Sequence, residues 1–171
     1  HLLRNDPGLL ERRLKMREER EKQSTIQKMG AVLWIAAFLI PGLDQRFGWS
    51  SVPWPVVIVS VALVLVANLL ICRVFMENSY ASRTIEVHEG QTVITTGPYA
   101  VVRHPMYSAV LVLVVFSPLA LASYWAVIPS LALPLLLILR IWDEEALLLE
   151  ELNGYREYTE QTRYRLIPGV W

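Results

Sequence analysis

Long apolar runs alternate with short stretches dense in charge along this chain. The first run, Met29 to Leu43 (MGAVLWIAAFLIPGL), is barely long enough to cross a bilayer, and it predicts a helix stopped by Pro41-Gly42. The second, Val52 to Met76, exceeds the roughly 20 apolar residues that a spanning helix needs. Its only polar interruptions of note, Asn68 and Arg73, fall in its last third. The third, Met106 to Trp142, is too long for one helix. Ser117-Pro118 and Ser123-Tyr124 offer breaks, and Pro118, Pro129 and Pro134 offer bends. It predicts two helices in a tight hairpin with its tip between Ser117 and Tyr124. The result is an all-α integral membrane fold with four visible transmembrane helices.

The polar stretches carry their own signals. In NDPGLLERRLKMREEREKQS, Asn5 or Asp6 can cap a helix and Pro7 suits its first position. Leu9, Leu10 and Leu14 fall on one side, so 1–28 reads either as an amphipathic segment on a membrane surface or as a solvated linker. Because the chain begins at His1, it is expected to be truncated upstream. In the loop after the second run, Thr84–Val87 and Thr92–Thr95 alternate like short strands around His88-Glu89-Gly90-Gln91, predicting a small β-hairpin. Gly97-Pro98 then turns the chain, and Pro105 opens the next helix. Beyond Trp142 the run EEALLLEEL predicts a helix with Glu on one side and Leu on the other, followed by an aromatic, basic tail.

Charge orients these elements. Segments 1–28, 73–105 and 140–171 hold fifteen of the sixteen Lys and Arg residues. The connections Pro41 to Pro53 and Ser117 to Tyr124 hold only Arg46. Four spans reproduce this division, and the positive-inside rule makes the lysine- and arginine-rich side cytoplasmic. The C-terminal helix and any chemistry in the polar loops are then on that face, with a prokaryotic inner membrane as the expected location.

Composition narrows the chemistry. Of 171 residues 54% are hydrophobic and the mean hydropathy is +0.37, as for a multi-pass membrane protein. The net charge of zero supplies no field to recruit nucleic acid. Cys72 stands alone and the three histidines are at 1, 88 and 104, so no metal site is expected. There is no phosphate-binding glycine loop, no H-E-x-x-H and no serine elbow.

Three clusters remain. Arg103-His104-Pro105 meets the start of the third apolar run, where helix amides and the dipole favour an anion such as a carboxylate. Arg140, Asp143, Glu144 and Glu145 surround the end of that run, where acidic groups oppose the dipole unless the helix continues or they bind a cation. Tyr155, Tyr158, Arg163, Tyr164 and Arg165 follow. Alone, the first and third suit membrane anchoring and the second a solvated helix face. Together, on one membrane face, they supply cation, anion, imidazole and aromatic surface. A zwitterionic cofactor with a cationic centre fits that set, and S-adenosylmethionine is such a molecule. A non-enzymatic scaffold is the reading in which none of these groups meets a ligand.

GPYAVVRHPMYSAVL, followed by RIWDEEALLLEELNGYREYTEQTRYRLIPGVW, resembles the isoprenylcysteine carboxyl methyltransferase family and its phospholipid-methyltransferase relatives. The matching positions are Gly97-Pro98-Tyr99, Arg103-His104-Pro105-Met106-Tyr107, Glu144-Glu145 with Leu148, Gly154 with Tyr158, and Arg165 with Pro168. Asn78-Ser79-Tyr80-Ala81 is similar to the family's polar segment upstream. The resemblance covers about residues 55–171 and makes 29–171 a membrane methyltransferase domain. It implies that Tyr99, Arg103, His104, Pro105, Tyr107, Glu144 and Glu145 bind S-adenosylmethionine. It implies an acceptor site with Asn78, Arg163 and Arg165, and catalytic roles for Arg163, Arg165 and Glu145. The implied partner is a lipophilic or prenylated substrate drawn from the bilayer lipids and methylated at a carboxylate. Amine or phospholipid N-methylation is the alternative within the same class. Sterol reductases carry a similar R-H-P-x-Y motif, so an NADPH-dependent membrane reductase is the alternative outside it.

Overall fold

The computed structural model describes residues 21–81, 87 and 90–171. The expected amphipathic segment therefore lies outside the described residues up to residue 20. From Glu21 onward the chain is already helical, with no break near residue 28. Among the described residues the fold is all-helical. Helix α1 is Glu21–Phe47, α2 is Trp54–Glu77, and a 3-10 turn covers Gly97–Ala100. Helix α3 is Pro105–Ala120, α4 is the single turn Val127–Ser130, α5 is Leu133–Glu151 and α6 is Tyr155–Gln161.

Helix α1 does not stop at Pro41-Gly42 as the sequence led us to expect. A proline inside a helix forfeits one backbone hydrogen bond, a loss that neighbouring packing can absorb. The stop comes at Gly48, whose φ of 65° is left-handed. Its amide and that of Trp49 return to the Asp44 carbonyl at 2.7 and 3.3 Å, which satisfies the helix end.

Helices α1 and α2 are long and apolar enough to cross a bilayer, with mean hydropathies of 1.6 and 2.8 in their most apolar windows. Much of their surface is uncovered: Val32, Leu39, Trp54, Leu65 and Leu69 are all exposed. In water such a surface would cost about 25 cal/mol per Å². In lipid the cost disappears. Helix α2 packs chiefly along α3, and α1 packs against α4 and α5.

The long third run is broken, as expected. Helix α3 ends at Ala120, Ala122 adopts φ 55°, and the Ser123 amide bonds the Pro118 carbonyl at 3.0 Å. Helix α5 then runs straight through Trp142 to Glu151, so the Glu/Leu segment continues it rather than forming a separate helix. The expected β-hairpin is not borne out on its described half. Thr92–Thr95 forms no strand, and Thr84–Glu86 lies outside the described residues. Thr92, Val93 and Ile94 instead line a cavity, so side-chain packing and not a ladder fixes this segment.

Polar side chains gather at two opposite ends of α1, which at 1.5 Å per residue is about 40 Å long. At one end the Gln23 amide donates to Asp143 at 2.7 Å, and Arg140 donates to the Gln23 carbonyl oxygen at 3.1 Å. At the other, buried Asp44 accepts from the Ser50 amide and hydroxyl at 2.7 and 2.6 Å and from the Ser123 hydroxyl at 2.5 Å. The Gln45 amide caps the Ala122 carbonyl at 2.8 Å. Asp44 thereby ties the α1–α2 connection to the break after α3.

Gly97 controls the turn that delivers Tyr99 and Arg103. Its φ of 57° is left-handed, and a Cβ there would stand 2.7 Å from the Glu77 carboxylate, which also accepts from the Thr96 hydroxyl. We expect Gly97→Ala to destabilise the protein by about 1–2 kcal/mol, most of it from the backbone, measured as a shifted unfolding midpoint in detergent.

Candidate functional site

The site is assembled around the start of α3. Pro105 occupies the first helical turn, where its missing N–H costs nothing, and this aims the preceding Arg103-His104 across the helix entrance. The C-terminal tail runs alongside. The Arg103 and His104 amides donate to the Tyr164 and Arg165 carbonyls, each at 2.9 Å, and the Ser108 hydroxyl donates to the Leu166 carbonyl at 2.7 Å. The Arg103 guanidinium reaches the Thr162 and Arg163 carbonyls at 2.9 and 2.8 Å.

Glu145, from the last turns of α5, completes the arrangement and is only 5% exposed. One oxygen accepts from Arg103 Nε at 2.7 Å and meets His104 Nε2 at 3.2 Å. The other accepts from Arg165 Nε at 2.7 Å. The Arg165 guanidinium also lies over the Trp171 ring, 5.2 Å from its centroid. Burial acts to raise the Glu145 pKa. The bonds from His104, Arg103 and Arg165 outweigh it and hold the carboxyl down at about 2.

A cavity opens beside this cluster, and it has two unlike walls. One is charged and polar: Arg103, His104, Tyr107, Arg140 and Glu144. The Tyr107 hydroxyl donates to Glu144 at 2.6 Å and accepts from Arg140 Nε at 2.9 Å. The other wall is aromatic and aliphatic: Val93, Ile94, Tyr99, Leu147, Leu148, Leu152, Tyr155 and Tyr158. Tyr99 is fixed from both sides. Its hydroxyl accepts from the Asn78 amide at 2.8 Å and its carbonyl from the Tyr158 hydroxyl at 2.7 Å. Burial pushes the Tyr99 phenol up to about 12, against the bond from Asn78 and with help from the Glu144 charge. Burial raises Tyr158 as well, so both phenols stay neutral.

A second, apolar groove lies between α1, α3 and α5. Ile26, Gly30, Trp34, Val110, Val114, Leu133 and Leu137 line it. Met106, Tyr107 and Arg140 belong to both the groove and the cavity. They form the partition between the two.

Among the residues singled out in the sequence, Asn78, Tyr99, Arg103, His104, Pro105, Tyr107 and Glu144 line the cavity. Glu145, Arg163 and Arg165 do not. Glu145 is spent on Arg103, His104 and Arg165, and Arg163 contributes its carbonyl while its side chain is exposed. Arg140, Tyr155 and Tyr158 are on the wall although they were not assigned to the cofactor. The signal for Arg140 was a cation placed directly after an apolar run. For the tyrosines it was their three-residue spacing after Gly154, which sets both on one helix face.

The family model for isoprenylcysteine carboxyl methyltransferases matches residues 56–150. That is more than half the chain. The chain belongs to the isoprenylcysteine carboxyl methyltransferase family. The match runs from α2 through most of α5 and contains both the Arg103–Tyr107 motif and the Glu144-Glu145 pair. Membership makes this a membrane methyltransferase. No curated protein matches the chain.

Removing Glu145 leaves buried Arg103 without a counter-charge. We expect Glu145→Ala to cost about 3–5 kcal/mol of stability. The pH dependence follows from the depressed pKa. The native state favours the carboxylate, so the stabilisation is complete above the ordinary value of 4.5 and is lost as pH falls toward about 2. Acid unfolding of the parent and of Glu145→Gln in detergent checks this, because the variant should lack that part of the acid limb.

Proposed function

We propose that the chain transfers a methyl group from S-adenosylmethionine to the carboxylate of a lipophilic, isoprenylcysteine-like acceptor at the cytoplasmic face of the membrane. The observation that carries the reading is the two-sided cavity at the family motif, which shares Met106, Tyr107 and Arg140 with an apolar groove. The donor set fits the cofactor. The aromatic wall suits adenine, and Glu144, Arg103 and the start of α3 suit an ammonium and a carboxylate. When bound, the cofactor supplies an electrophilic methyl on a sulfonium. The protein's share is positioning, which can remove about 7–11 kcal/mol of barrier. Tyr107 holds Glu144 against the cavity, and the Glu145 cluster holds Arg103 and His104 in place. The apolar walls exclude water, which favours a reaction in which opposite charges are neutralised.

The groove suits the acceptor's lipid chain, and Arg140 at its inner end suits the acceptor carboxylate. A carboxylate needs no general base, and no spare base is required of this site. The reductase alternative needs more cationic partners for the phosphates of its dinucleotide than the two arginines on the cavity wall, Arg103 and Arg140, supply.

For topology we propose four spans: α1, α2, and an antiparallel pair made of α3 and the stretch from α4 through α5 as far as Trp142, with Glu145 just past its exit. The groups near Gln23, Arg103 and Glu145 then share the cytoplasmic face with the C-terminal helix α6, and the Asp44 cluster faces the other side.

In calorimetry in detergent we expect S-adenosylhomocysteine to bind and NADPH not to; the reverse would make the protein a reductase. Tyr107→Phe, which removes one hydrogen bond from each of Glu144 and Arg140, should weaken S-adenosylhomocysteine by roughly ten-fold, or about 1–2 kcal/mol. For the topology, Arg46→Cys in a Cys72→Ala background should react with a membrane-impermeant maleimide from outside the cell. Reaction only after the membrane is opened would invert the arrangement.

A further inference from the structure

Tyr155 stands at the start of α6, directly after Gly154, whose left-handed φ of 84° swings the chain off α5. Its ring is 4% exposed and packs with Leu152 and Tyr158 against Leu148 and Val93. Its hydroxyl is buried and finds no hydrogen-bond partner among the described residues. The other tyrosines on the cavity wall differ. The Tyr158 hydroxyl donates to the Tyr99 carbonyl, the Tyr99 hydroxyl accepts from Asn78, the Tyr80 hydroxyl donates to the Gly90 carbonyl, and the Tyr107 hydroxyl is bonded twice. A buried hydroxyl with no partner burdens the ligand-free fold, whereas phenylalanine would fill the same space without that cost. The fold therefore gives no reason for an oxygen at this position. A ligand in the adjoining cavity does.

Two features say what kind of atom the oxygen meets. Its surroundings within the cluster are aliphatic and aromatic, which belongs to the uncharged part of a ligand. Burial, followed by the charges of Glu145 and Glu144, keeps the phenol protonated, so it acts as a neutral donor and not as a base. Resting on the methyltransferase reading above, we propose that Tyr155 is a ligand-contacting residue. Its hydroxyl donates a hydrogen bond to an uncharged acceptor on the nucleoside portion of the cofactor, where the aromatic wall meets the charged one. The fold accepts an unsatisfied group in the empty protein, and binding satisfies it.

The test uses two variants and two readouts. Tyr155→Phe should bind S-adenosylhomocysteine roughly ten-fold more weakly than the parent in calorimetry. It should bind 5′-methylthioadenosine, which lacks the amino-acid end, more weakly by a similar factor. Its ligand-free melting temperature should be unchanged or higher. Tyr158→Phe, which loses a made hydrogen bond, should lower the melting temperature. Parent-like binding by Tyr155→Phe would overturn the proposal. So would a fall in its ligand-free melting temperature like that of Tyr158→Phe, since the hydroxyl would then serve the fold. A loss confined to S-adenosylhomocysteine would overturn the nucleoside placement. If the parent itself binds neither compound, the methyltransferase reading fails first, and that result is recognisable without any variant.

Discussion

One carboxylate, that of Glu145, fixes the relative positions of three distant pieces of chain. Arg103 and His104 come from the entrance of α3, Arg165 comes from the tail, and Glu145 itself comes from the far end of α5. A buried ion pair is not by itself a source of stability, because desolvation offsets much of the attraction. Its worth is positional: it holds Arg103, His104 and Arg165 against a single residue of α5. The backbone bonds from Arg103 and His104 to the tail follow from that choice, and so does the cavity wall that they support.

The polar groups have a second constraint, the thickness of the apolar layer. Gln23, Arg140 and Asp143 sit at one end of α1, and Asp44, Ser50 and Ser123 sit at the other. Between them the helix surfaces are uncovered hydrocarbon. The site therefore lies where water and lipid are both within reach. The cavity has charged groups and the groove has none but Arg140, so two spaces of unlike chemistry meet at shared residues.

Much of this was legible in the chain because the bilayer imposes a coarse rule, that a span needs a long apolar run. The runs at 52–76 and 106–142, and the break in the latter, could be read from composition and proline placement. The end of α1 could not. Proline and glycine at 41 and 42 look like a stop, and only the left-handed Gly48 with its return bonds to Asp44 reveals where the helix ends. In the site, adjacency concealed a division of labour. Glu144 and Glu145 are neighbours, yet the helix sends one to the cavity and the other to the arginines. A motif names both without distinguishing them. Arg165 was visible as a cation, but its direction depended on a tail whose course is set by backbone bonds that side-chain chemistry does not encode.

The separation of Arg103 from Glu145 along the chain matters for how the protein is made. The two are 42 residues apart. At a synthesis rate of about 5–20 residues per second, the cation leaves the ribosome some 2–8 s before its counter-ion. Until Glu145 has been made, Arg103 has no counter-charge to be buried against, so the entrance of α3 takes its final arrangement only after α5 has followed it.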